Sequence, residues 1–152
     1  MRPWNTIAFT TSPDAARGGG FCRQRGVDRA LALSRDPLHA QVREQWNLLH
    51  GAGAKLHTSI PVVIETFTFL DRNANRDVAL PWRESIYKPG TVKILPCELR
   101  DLQQSWEYFR HADLYKLSAV DATSFAIMKR ARIRLAYTFN HHFAAVGFRF
   151  VG

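Results

Sequence analysis

Cysteine is scarce in this chain: Cys22 and Cys97 are the only two, far apart and in neither a CxxC nor a Cys/His-cluster spacing. A disulfide framework and a structural zinc are therefore not expected, and a reducing cytoplasm is the expected setting. Long apolar runs are missing as well. The longest weakly charged stretch, 56–70, is too short and too rich in Thr and Ser to span a bilayer. Near the start, Trp4, Ile7, Ala8 and Phe9 give way at once to Thr10, Thr11, Ser12 and Pro13, which is no secretory h-region. No membrane partner is expected. Acidic residues are few, 13 against 21 Lys and Arg for a formal charge of +8, and none follows Asp121. That balance favours a polyanion, namely RNA, DNA or an acidic protein, and leaves the fold open.

What is present is enough for one folded domain: 152 residues, 46% of them hydrophobic. Residues 1–35 are poorly patterned, with Gly18, Gly19 and Gly20 in a row and arginines at 2, 17, 23, 25, 29 and 35. From 36 onward the text is periodic, and 36–152 is the expected domain. Leu38, Val42, Trp46 and Leu49 predict a helix over 38–50 that stops at Gly51 and Gly53, with a short strand at 55–58. Ser59 as N-cap and Pro61 in the first turn predict a helix over 61–71, apolar nearly all round and so expected to be buried. Further helices are predicted at 76–87, 98–111 and 118–130, and strands at 91–95, 135–139 and 147–151. Strands alternating with helices over short connections give the α/β class with a parallel sheet.

Three groups carry candidate chemistry. Glu65 is the one carboxylate between Leu56 and Leu70, set among Val63, Ile64, Thr66 and Phe67. A buried carboxylate must be paired, protonated or bound to a cation, so an arginine or Lys55 as partner and a cation site are both open. Asp121 stands three residues after Ser118, where it suits a capping box, and equally suits a site at the rim of a parallel sheet. Asn140, His141 and His142 follow an apolar strand; an exposed polar turn or a site at the same rim accounts for them, with Asn140 offering a neutral oxygen or a hydrogen bond.

The run Leu117-Ser118-Ala119-Val120-Asp121-Ala122-Thr123-Ser124-Phe125-Ala126-Ile127-Met128, followed by Tyr137-Thr138-Phe139-Asn140-His141-His142-Phe143 and Gly147-Phe148, resembles the C-terminal signature of PIN-domain ribonucleases, the VapC-type toxins of toxin–antitoxin pairs. Residues 62–70 are similar to that family's second block and 36–39 to the segment before it, so the resemblance covers 36–152. It implies a three-layer α/β/α sandwich, a homodimer, a cognate antitoxin, and hydrolysis of RNA, tRNA included, at an acidic site holding Mg²⁺ or Mn²⁺. On this resemblance Glu65 and Asp121 are metal ligands and catalytic, Asp28 is the third ligand, and Asn140 completes the catalytic set.

Two departures from the pattern bear on activity. The first block is an apolar strand ending in Asp; here Val27-Asp28 supplies the acid without a good strand, and Ile7-Ala8-Phe9-Thr10 a strand without the acid. Asn140 stands where the family has Asp. A module that grips RNA or an antitoxin without cleavage is the alternative function. Lys129, Arg130, Arg132 and Arg134, and likewise Arg23, Arg25, Arg29 and Arg35 before the first matched block, are either a solvated face or RNA contacts. A phosphate loop at 18–20 or 51–53 is disfavoured, since neither run links a strand to a helix.

Overall fold

A computed structural model describes residues 21–150. The alternative first strand at 7–12, the glycines at 18–20 and Val151 lie outside the described residues. In chain order the elements are β1 (Phe21–Arg23), α1 (Arg25–Ala32), α2 (His39–Gly51), β2 (Leu56–Ser59), α3 (Ile60–Asn73), α4 (Arg76–Tyr87), β3 (Lys93–Leu95), α5 (Leu99–Ser105) running into a 3₁₀ turn (Trp106–Arg110), α6 (Ala119–Arg130), β4 (Leu135–Tyr137), α7 (His142–Ala145) and β5 (Arg149–Phe150). The strands form one parallel sheet in the order β3-β2-β1-β4-β5. This is the α/β architecture that the strand–helix alternation predicts.

Residues 21–32 form a strand and a helix where the sequence has no sustained period. β1 is three residues long and ends in Arg23, so its own propensity is weak. Its neighbours define it: Phe21 is in register with both Leu56 and Leu135, and Arg23 with Tyr137. Two further bonds fix its end, from Gln24 N to Tyr137 O at 3.1 Å and from Thr58 Oγ1 to Arg23 O at 3.0 Å.

The apolar residues gather in three clusters. Val27, Ala30, Val42, Leu49, Leu56 and Tyr137 pack α1 and α2 on the sheet. Leu70, Ala79, Trp82 and Ile86 join α3 to α4. The third lies under α5 and α6, where Phe125 meets Phe143 at 4.7 Å and Tyr108 at 5.0 Å, both edge-on, the arrangement that ring quadrupoles favour. The α3 helix is less buried than its composition suggests. Val62, Thr66 and Leu70, spaced i, i+4, i+8, form its one fully buried stripe, while Ile64 is 62% exposed beside an open groove.

Chain direction positions the site. The chain builds outward from β1 to β2 and β3, then returns to the other side of β1 with β4 and β5. Such a reversal opens a crevice beyond the carboxyl ends of the strands. The first turns of α1 and α3 and residues 138–142 all follow those ends. The N-terminus of α6, which runs back toward the start of β4, lies there too.

Candidate functional site

Glu65 and Asp121 come together at this rim from separate helices. Glu65 is in the second turn of α3, directly after β2. Asp121 is the third residue of α6, and its backbone N–H donates to the Ser118 hydroxyl at 3.0 Å, the capping contact expected from Ser-x-x-Asp. The cap and the site are thus compatible, because the main chain of Asp121 serves one and its carboxylate the other. Burial pushes Glu65 above the ordinary carboxylate range; Arg25 opposes this, and the charge of Asp121 adds to it. Burial likewise raises Asp121, against the hydrogen bonds of Asn140 and Ser118 and the charges of Arg25 and His142. The charge of Asp121 therefore makes ionisation of the partly buried Glu65 harder, which places the two carboxylates in one electrostatic neighbourhood.

Arg25 opens α1, and its Nη1 lies 3.3 Å from Glu65 Oε1. The paired reading of Glu65 is therefore realised, and its partner arginine is the first helical residue after the central strand.

Asn140 meets Asp121 as a donor. Its Nδ2 donates to Asp121 Oδ2 at 2.7 Å, while its Oδ1 accepts from His142 N at 3.0 Å. A backbone N–H can only donate, so the amide orientation is dictated, and the oxygen proposed above as a neutral ligand is engaged by the backbone. His142 is buried and His141 exposed, with ring centroids 4.8 Å apart, so the Asn-His-His run is only partly the solvated turn that adjacent histidines suggest.

Asp28 is not brought to this pair. It lies inside α1, 1% exposed, with Arg23 Nε 2.6 Å from its Oδ1. Burial raises it, and Arg23 opposes the rise. The physical reason is Arg23: a guanidinium buried at the end of the central strand needs an anion, and α1 turns Asp28 inward to supply it. The rim end of β1 reads Arg23-Gln24-Arg25, without a carboxylate, and Gln24 Oε1 accepts from Ser124 Oγ at 2.9 Å, one turn below Asp121. Among the described residues no three His, Cys, Asp or Glu side chains gather as a metal cluster.

Lys129, Arg130, Arg132 and Arg134 are also placed elsewhere. They lie at the far end of α6 and the start of β4, and nine residues of helix put Arg130 about 14 Å from Asp121. Arg130 is bound in the fold: Nε and Nη2 donate to Asp101 at 2.8 and 2.9 Å, and Nη2 also to Pro96 O at 3.0 Å. Among the described residues Arg25 lies against Glu65, and Arg25 and Arg72 share a groove with it. The groove is open, of about 570 Å³, and is lined as well by Ile60, Ile64, Phe69 and Val120. Arg25 is among the N-terminal arginines that the sequence offers as phosphate contacts; Arg72 is not singled out there, and its signal is its place two turns after Glu65 on the same helix.

Among the described residues no helix is long and apolar enough to cross a membrane. A profile of the PIN domain matches residues 29–149. The chain is 34% identical over 108 residues to the 23S rRNA-specific endonuclease VapC20 of Mycobacterium tuberculosis, covering 65% of this chain and 81% of that protein. The crystal structure of M. tuberculosis VapC20, a sarcin–ricin loop cleaving toxin, matches with a TM-score of 0.73 at 29% identity, over 84% of this chain and 95% of that one. FitAcB from Neisseria gonorrhoeae matches at 0.65, with 14% identity over 87% of this chain and 96% of that one. DNA-bound VapBC from Salmonella typhimurium matches at 0.61, also at 14%, over 86% and 96%. These last two share the fold. With its profile spanning most of the sequence and a VapC-type endonuclease as homologue, the chain belongs to the PIN domain family.

Proposed function

We propose that this protein is a metal-dependent endoribonuclease of the VapC toxin type, cleaving RNA phosphodiester bonds at Glu65 and Asp121. The observation that carries the reading is the convergence of these two carboxylates at the sheet's carboxyl rim, each raised by burial and Glu65 further by Asp121. Mg²⁺ is commonly held by one or two carboxylates while it keeps several waters, so this pair meets the minimum for Mg²⁺ or Mn²⁺. A bound ion supplies charge neutralisation at the phosphate and a more acidic water. The chain's own groups do the rest. Asn140 holds the Asp121 carboxylate by one oxygen and leaves the other for the ion. Ser124 and Gln24 brace the helix turn beneath it. Arg25 and Arg72 put positive charge beside the groove along which a phosphate backbone would lie.

The VapC20 relative is named for 23S rRNA and its sarcin–ricin loop, so an rRNA hairpin is the first substrate class here, ahead of tRNA. A homodimer, a cognate antitoxin and action in the cytoplasm accompany this reading by family resemblance. A second reading is favoured by Arg25 on Glu65 and by the absence of a carboxylate at the end of β1: a module that binds RNA or an antitoxin and cleaves poorly.

Purified protein is incubated with a sarcin–ricin hairpin RNA and Mg²⁺ or Mn²⁺, beside the D121A variant. Cleavage that falls at least a hundredfold in D121A and stops with EDTA supports the nuclease. Salt-sensitive RNA binding unaffected by EDTA, without cleavage, supports the binding module instead.

A further inference from the structure

Among the described residues Arg25 is the one cation whose charge acts on both carboxylates of the site. Its guanidinium touches Glu65 at 3.3 Å, and its charge acts on Asp121 as well. The contact is single and long for a charge-assisted bond, where about 2.8 Å is usual. The Arg25 side chain is 48% exposed, so little beyond this contact ties it down. Phe69 lies beneath it with the ring centroid 5.6 Å from the guanidinium carbon, on the wall of the groove that Arg72 also lines. The guanidinium thus already lies over an aromatic face that lines the groove, and only one long bond ties it to Glu65.

We propose that Arg25 is an internal counter-cation of the Glu65–Asp121 pair, so that a divalent ion must displace it from Glu65 in order to bind. The inference rests on the reading of this pair as a cation site, and charge counting supports it. Two carboxylates with Arg25 carry a net charge of about −1, whereas without it they carry about −2, the charge that matches a divalent ion. A divalent ion added beside Arg25 meets a like charge, and the resulting loss of affinity is removed only when the guanidinium swings into the groove. There the displaced charge faces the phosphates of a bound RNA, so loading the ion and presenting a cation to the substrate become one event. No bond is made or broken in this exchange.

Mn²⁺ binding to the full chain is measured by calorimetry, with the metal-free melting temperature as a check on folding. Arg25→Gln is expected to tighten Mn²⁺ about tenfold, and Arg25→Lys, which keeps the charge, to stay near the parent. Unchanged or weaker binding in Arg25→Gln overturns the proposal, as does no binding in either protein. Introducing Asp121→Asn into both backgrounds separates the two readings. If Asp121→Asn abolishes binding in the parent while Arg25→Gln changes nothing, the site stands and the counter-cation idea fails. If Asp121→Asn leaves Mn²⁺ binding intact, the ion lies elsewhere and the cation site fails with it.

Discussion

Asn140 Nδ2 sits 2.7 Å from Asp121 Oδ2, an amide donor in a position where a carboxylate would press one charge against another. Restoring that carboxylate gives a sharp prediction. In N140D the backbone bond from His142 can persist, but the second oxygen faces Asp121. Losing a hydrogen bond to a charged group costs about 2 kcal/mol, which for a chain of this size is a drop of roughly 5 °C in Tm. Mn²⁺ should reverse the drop and bind more tightly than to the parent. Paired thermal melts with and without the ion check this, and a metal-free N140D as stable as the parent would contradict it.

The raised carboxylates also set a pH dependence. For Asp121 the folded value lies above the unfolded one, so between the two the folded state holds more protons, and stability falls as pH rises through that window. The cost is fully present above the folded value. Asn140, Ser118, Arg25 and His142 favour the ionised form and burial outweighs their help, while the like charge of Glu65 gives none. D121N removes the ionised charge. It should melt above the parent at pH 8 without divalent ions, with the gap closing on acidification. Calorimetry from pH 8 down to 5 is the measurement, and a D121N that melts lower throughout would refute the claim.

Asp101 behaves in the opposite sense. Burial pushes it up, but the hydrogen bonds from Arg130 and the Glu98 backbone outweigh that and leave it below the ordinary value. Removing Arg130 leaves a carboxylate with 3% of its side chain exposed, without its hydrogen-bonded guanidinium and with only the charge of Arg100 in its place. R130A is expected to cost about 3 kcal/mol. Denaturant titration checks the size of the loss, and RNA binding by the folded fraction should be unchanged, since Arg130 ties α5 to α6.

The remaining cations at the end of α6 follow the same logic from the other side. A K129A/R132A/R134A triple variant should keep RNA affinity within about twofold, because these residues lie between the far end of α6 and the start of β4, away from Asp121. R72A, beside the groove, should weaken binding and lower the salt slope by about 1. Filter binding across a salt series distinguishes the two variants, and the reverse ranking would show that RNA runs over the opposite end of the sheet.

How much of this was legible beforehand depends on where each signal resides. Glu65 and Asp121 were readable because a charge inside an apolar period and a Ser-x-x-Asp start are local patterns. The α/β class was readable from alternation. β1 was not, since three residues ending in Arg23 have no period, and their place in the sheet comes from Leu56 and Leu135, distant in sequence. Asp28 misled for the same reason: its partner, Arg23, is set by tertiary burial. The bond that points Asn140 at Asp121 originates in the N–H of His142, a donor that a residue-by-residue reading does not weigh.

The sheet order has a consequence for synthesis. β1 leaves the ribosome early, yet one of its two neighbours is β4, made more than a hundred residues later. Parallel pairing over such separations is slow, because the connecting chain must close before any contact forms. Asp121 and Asn140 are translated after most of the fold. A nascent chain of this protein thus cannot bring Glu65, Asp121 and Asn140 to one rim until α6 and the turn after β4 have been made.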